Sequence, residues 1–221
     1  MPEKNSSIEV DVEDLAQRFR KELEVITKHQ LNFSTINVLL FSYGQLRQLG
    51  EQFASNPNQV PPGEMLLAHE ALTTSVVASY GRLFTMGKGT TKLDPNKIPA
   101  EHKAAHDELM GLRHDRYAHN GSHVTTTTTV ALSVENGAVI VRPEQTAGIY
   151  IGGADSWEPL FLWINRHLVE NIHNYLTDLS RKSGIEWKMN EGPAPSWMDA
   201  LFDADTKENG SKGEQSISTD V

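Results

Sequence analysis

Residues 111–123, GLRHDRYAHNGSH, gather two arginines and three histidines around one tyrosine. Arg113 offers a permanently charged planar fork that matches phosphate oxygens, and His119 exchanges a proton near neutral pH. Together they supply the parts of phosphodiester transesterification: a base for a 2′-hydroxyl, an acid for the leaving 5′-oxygen and donors for charge on the phosphorane. That chemistry needs no metal. One such histidine per chain is short for a reaction that moves two protons, and a two-fold dimer supplies the second. In a regular helix the six residues from Arg113 to His119 turn the side chain by about 600°, leaving the pair about 120° apart. Arg113 then shares a face with Arg116 and Tyr117, and His119 with Arg116 and Asp115. Asn120 and Gly121 are a helix stop, so His119 sits where the helix relaxes and its ring can swing round the end. The plainer reading is structural: Arg113 pairs with Asp115 or Glu108, and His119 is favoured at a helix end by the dipole.

Two neighbouring signals compete with that site. His102 and His106 lie four residues apart, beside Glu101 and Asp107, at a spacing that zinc or nickel uses. The order EHKAAHDE lacks both HExxH and a third ligand. The pair therefore reads as solvent-facing, and no metal or other cofactor is assigned. The stretch GRLFTMGKG, residues 81–89, lacks the spacing of a phosphate loop and follows a helix rather than a strand. Lys88 within it is kept as a candidate RNA contact.

The elements that must position these residues follow from periodicity. Val12, Leu15, Phe19, Leu23 and Ile26 describe an amphipathic N-terminal helix within residues 1–30. Ser34 is placed to cap a second helix carrying Val38, Leu39, Phe41, Leu46, Leu49 and Phe53. Residues 64–86 are apolar over much of their circumference and predict a central helix. A loop leads to Pro99, which suits the first turn of a helix from Ala100 to about Ala118. VTTTTTVALSV is β-branched, and Asn136-Gly137 is a hairpin signal, so a β-ribbon is expected over about 124–151. A last long helix starts near Asp155 or Ser156, with Leu160, Trp163, Ile164, Leu168, Ile172, Tyr175, Leu176 and Leu179 inward. Residues 183–221 read as an acidic tail, interrupted by SWMDALF, 196–202, as a short docked helix or a partner-binding segment.

Composition bounds the rest. A chain of 221 residues with 38% hydrophobic residues suits one sizeable core. The absence of cysteine excludes disulfides and thiolate sites and suits a reducing cytoplasm. No run approaches a membrane span and MPEKNSSIEV has no signal-peptide core, so no membrane partner is expected. The net charge of −9 argues against nucleic acid until it is located. Residues 191–221 hold seven acids against two bases, whereas residues 82–123 hold seven bases, five acids and five of the nine histidines.

An arginine, a polar residue after it, and a histidine near a helix end, with helical segments on either side, resemble the mark of the HEPN superfamily. Here Arg113 is followed by His114, and five residues separate it from His119. The resemblance spans roughly residues 30–182. It implies a mainly α fold, an antiparallel helical bundle of HEPN type over residues 31–182, with the β-ribbon inserted before the last long helix. It further implies a metal-independent endoribonuclease built across a homodimer, RNA as substrate, and the setting of a toxin or antiviral defence effector. An antitoxin or other protein partner goes with that setting. By position, Arg113 binds the scissile phosphate, His119 is general acid or base and His114 orients the site. Arg116, Tyr117 and Lys88 are assigned to substrate contact. Some related domains are noncatalytic modules for dimerisation, nucleotide binding or protein interaction, and that alternative stays open. The β-ribbon and the acidic extensions depart from the simplest family pattern.

Overall fold

The computed structural model describes residues 11–55, 58–85, 87, 91–117, 126–148, 150, 153 and 155–189. Among them the chain is mainly helical with one two-stranded antiparallel ribbon. In order the elements are α1 (Val12–Arg18), α2 (Arg20–Ser55), α3 (Gly63–Phe84), α4 (Lys103–Leu112), β1 (Thr126–Glu135), β2 (Ala138–Ala147) and α5 (Trp157–Ser183). No described helix is long and apolar enough to cross a membrane.

The Asp11 carboxylate caps α1 by accepting from the backbone N–H groups of Glu13 and Asp14. The expected helix from Val12 to Ile26 breaks at Phe19, whose buried ring meets Trp187 edge-on at 5.8 Å. The helix start expected at Ser34 is corrected: α2 runs unbroken for 36 residues through residue 30 and through Ser34. Thr27 and Thr35 each turn back to the carbonyl four residues earlier, Leu23 and Leu31, so they sit within the helix instead of starting one.

The fold divides into two compact units. The first takes in residues up to Asn37, Val77–Gly121 and Gly152–Met189. Its core is α5, whose Trp157, Leu160, Phe161, Ile164, Leu168 and Leu179 are fully buried, with Val77, Tyr80 and Leu83 of α3 and Leu109 of α4 also at zero exposure. Trp163 and Tyr175, expected inward, are only half-buried, and Trp157 and Phe161 take the inner positions. Trp157 fits because Gly153, at φ 74°, has no side chain; a Cβ there would lie 1.8 Å from the indole. Gly184, at φ 73°, ends α5 in the left-handed conformation. The chain then returns along the helix: Trp187 donates from its backbone N–H to Ser180 Oγ and from Nε1 to Ser183 Oγ. Order thus continues past the expected tail boundary at residue 183. Residues 190–221, SWMDALF included, lie outside the described residues.

The second unit contains Val38–Val76 and Ser122–Ile151. Ser42 and Ser75 share a hydroxyl hydrogen bond of 2.9 Å, and Phe53 stacks on His69 at 5.7 Å. The contacts run in opposite senses along α2 and α3, as in an antiparallel helix pair. Leu39, Leu40, Tyr43, Leu46 and Val76 are buried, while Val38 and Phe41 are about half exposed. Asn136 and Gly137, at φ 51° and 77°, form the tight hairpin turn their types require. The register pairs Glu135 with Ala138 and Thr126 with Ala147. β2 continues across Pro143, which an edge strand tolerates.

Candidate active site at the end of α4

The start of α4 is fixed before its functional end is reached. Asn32 Nδ2 donates to the Thr91 carbonyl at 2.6 Å, and Leu93 N–H donates to the Leu83 carbonyl at 2.9 Å. Leu93 and Ile98 are buried, and Lys103 Nζ donates to the Pro95 carbonyl. A single 3₁₀ turn, Ala100–His102, follows Pro99 and hands over to α4.

The inward face of α4 is Ala105, His106, Leu109 and Leu112. The Tyr80 hydroxyl and His106 Nδ1 share a buried hydrogen bond of 2.6 Å, and the imidazole meets Phe84 edge-on at 4.8 Å. Burial pushes the His106 pKa below its ordinary value, with Asp107 opposing and Lys103 reinforcing the shift. Burial, aided by the Asp107 carboxylate, pushes the Tyr80 hydroxyl well above the usual phenol range. Both groups are therefore neutral, and the bond is an uncharged clamp between α3 and α4.

Seven residues beyond His106, on the same helical face, comes Arg113. Its side chain crosses α3 at Gly81, where a Cβ would lie 2.0 Å from Arg113 Cδ and 2.5 Å from Nε. Only a residue without a side chain leaves that passage open. Arg113 is half-buried, its aliphatic stem laid against the helix. Beside this contact, Trp157 Nε1 donates to Glu108 Oε2 at 3.0 Å, fixing α4 to the start of α5.

The α-helix does not continue to Ala118 as expected. It stops at Leu112, and Arg113–Tyr117 form a single π turn, a wider coil with i→i+5 hydrogen bonding that recurs at functional sites. The 120° relation derived for a regular helix does not apply to it. Arg113, His114, Arg116 and Tyr117 thus share one turn: His114 and Asp115 are exposed, and the Arg116 guanidinium lies 5.3 Å from the Tyr117 ring centre. His119 and Lys88 lie outside the described residues.

The histidine pair read as solvent-facing is a further correction. His102 is half-buried and His106 is turned into the core, so they share no open face. Among the described residues no three His, Asp or Glu side chains are grouped to hold a metal ion. Sequence reasoning also missed Tyr80 and Gly81. The signal was an isolated glycine between core residues of an apolar helix, which usually marks a close approach.

No protein-family model, curated protein or solved structure matches this chain. Fold and turn together define a mainly helical protein with a small β-ribbon and an arginine-bearing π turn.

Proposed function

We propose that the chain is a metal-independent endoribonuclease of HEPN type, acting as a homodimer in a toxin or antiviral defence setting. On this reading the helices form the antiparallel bundle of that family. The observation that carries it is Arg113, which opens a π turn and runs across Gly81, at the head of the Arg113-x5-His119 spacing. A guanidinium whose stem is packed loses less freedom when it binds a phosphate than one on an open surface.

In the proposed reaction Arg113 neutralises the scissile phosphate and the charge that grows on its equatorial oxygens. His119 removes the proton from the 2′-hydroxyl. The new bond joins the 2′-oxygen to phosphorus, the bond from phosphorus to the 5′-oxygen breaks, and the same histidine of a second copy protonates that oxygen. The products are a 2′,3′-cyclic phosphate and a free 5′-hydroxyl. His114, Arg116, Tyr117 and Lys88 hold the strand, and an antitoxin is the partner that would block it.

The test is cleavage of single-stranded RNA in EDTA. Arg113→Ala and His119→Ala should each lower the rate by about 10²-fold or more, with helical circular dichroism unchanged. Undiminished cutting by both variants would reject the site, and saturable nucleotide binding without product would favour a noncatalytic module.

A further inference from the structure

The ribbon presents a face that nothing described covers. The register places Val130, Leu132 and Val134 of β1 opposite Pro143, Val141 and Val139 of β2, so at the turn end of the hairpin these three pairs put six apolar residues on one side. The five aliphatic side chains are between 58% and 74% exposed. The charged residues of the same stretch, Glu135, Arg142 and Glu144, alternate onto the opposite side, where Ala131, Ser133 and Ile140 are half-buried. The usual pattern, apolar inward and polar outward, is reversed. A lone two-stranded hairpin is at best marginal in water and needs a covering layer.

We infer that this face packs on the same face of a second copy, making a four-stranded sandwich across a two-fold axis. Charge and area select that occupant. A charge-free face meets its own copy without opposing like charges, although each chain carries −9. The exposed patch is on the order of 500 Å² per copy, the upper end of what monomers display. Two such faces together bury about 1,000 Å², where specific interfaces begin, and sheets stack about 10 Å apart with their side chains interleaved. The inference stands apart from the ribonuclease reading and would supply the second copy that reading needs. The two fail separately: a protein that still dimerises and cuts RNA after Leu132→Lys and Val141→Lys overturns only the ribbon interface.

Sedimentation equilibrium of the full chain across the micromolar range should give twice the 24.6 kDa of one chain. Leu132→Lys combined with Val141→Lys should weaken association by about tenfold or more with the thermal transition of the helices retained. A single-chain mass at every concentration overturns the proposal, including the case in which residues 196–202 cover the face internally. Undiminished association of the double variant also overturns it, because the dimer then lies elsewhere. Should that variant lose its helices, single cysteines decide, since the chain has none. Leu132→Cys should form a covalent dimer on mild oxidation faster than Ser133→Cys on the opposite side, and the reverse order contradicts the interface.

Discussion

Along α4 and the turn that follows it, His106 is held by the Tyr80 hydroxyl and Arg113 lies against Gly81 of the same helix, whereas along the ribbon Val130, Leu132 and Val134 are held by the backbone ladder. The first region is irregular in its backbone and packed; the second is regular and uncovered. The contrast teaches that a buried framework can hold an unusual turn open, and that a well-formed hairpin is not by itself a stable layer.

Perturbing each side should give effects of graded size. Trp157→Ala removes a fully buried indole that joins Gly153, Glu108 and the α5 core, and should cost about 3–5 kcal/mol in urea unfolding. Tyr80→Phe strips the clamp and leaves His106 Nδ1 buried without its hydroxyl partner, costing about 1–3 kcal/mol by the same measurement. Gly81→Ala separates position from stability. Helix propensity alone favours alanine by about 0.5–1 kcal/mol, so the transition should hold or rise while Arg113 is displaced and RNA cleavage falls. A Gly81→Ala protein that cuts at the normal rate would break the link between that passage and the site. Glu135→Gln, at the exposed pair with Arg142, should change stability by less than about 1 kcal/mol.

Acid should act on the packed helices. Burial lowers the pKa of His29, His69, His106 and His167, and the charge of His167 adds to the effect on His29. Each is a base whose folded value lies below its unfolded one, so the unfolded chain binds more protons and stability falls as pH drops below about 6.5. Among the described residues His29 Nδ1 and His69 Nδ1 are buried without a hydrogen-bond partner, and at His69 the Glu70 carboxylate opposes the shift without reversing it. The urea midpoint should decline between about pH 7 and pH 5, and His29→Leu should flatten that slope. An unchanged midpoint would show that these imidazoles are not kept neutral by burial.

What was legible in the sequence follows the same divide. Asn136-Gly137 declared the hairpin, because few pairs adopt two consecutive positive φ angles, and periodicity marked six of the eight inner positions of α5. The outward turn of the ribbon's apolar side was illegible, since alternation gives two faces without saying which one is covered. Ser34 misled because a hydroxyl that caps a helix start can equally occupy a helix interior. The π turn at Arg113–Tyr117 has no compositional mark. The arginine was found by its chemistry, but Gly81, which makes room for it, is separated by 32 positions and becomes a neighbour only through packing.

The most direct test is the mass of the RNA fragments produced in EDTA. Wild-type protein should release 5′ fragments ending in a 2′,3′-cyclic phosphate, and Arg113→Ala and His119→Ala should release none above background. Intact RNA after prolonged incubation with wild type, or the same fragments from both variants, would contradict a ribonuclease centred on the end of α4.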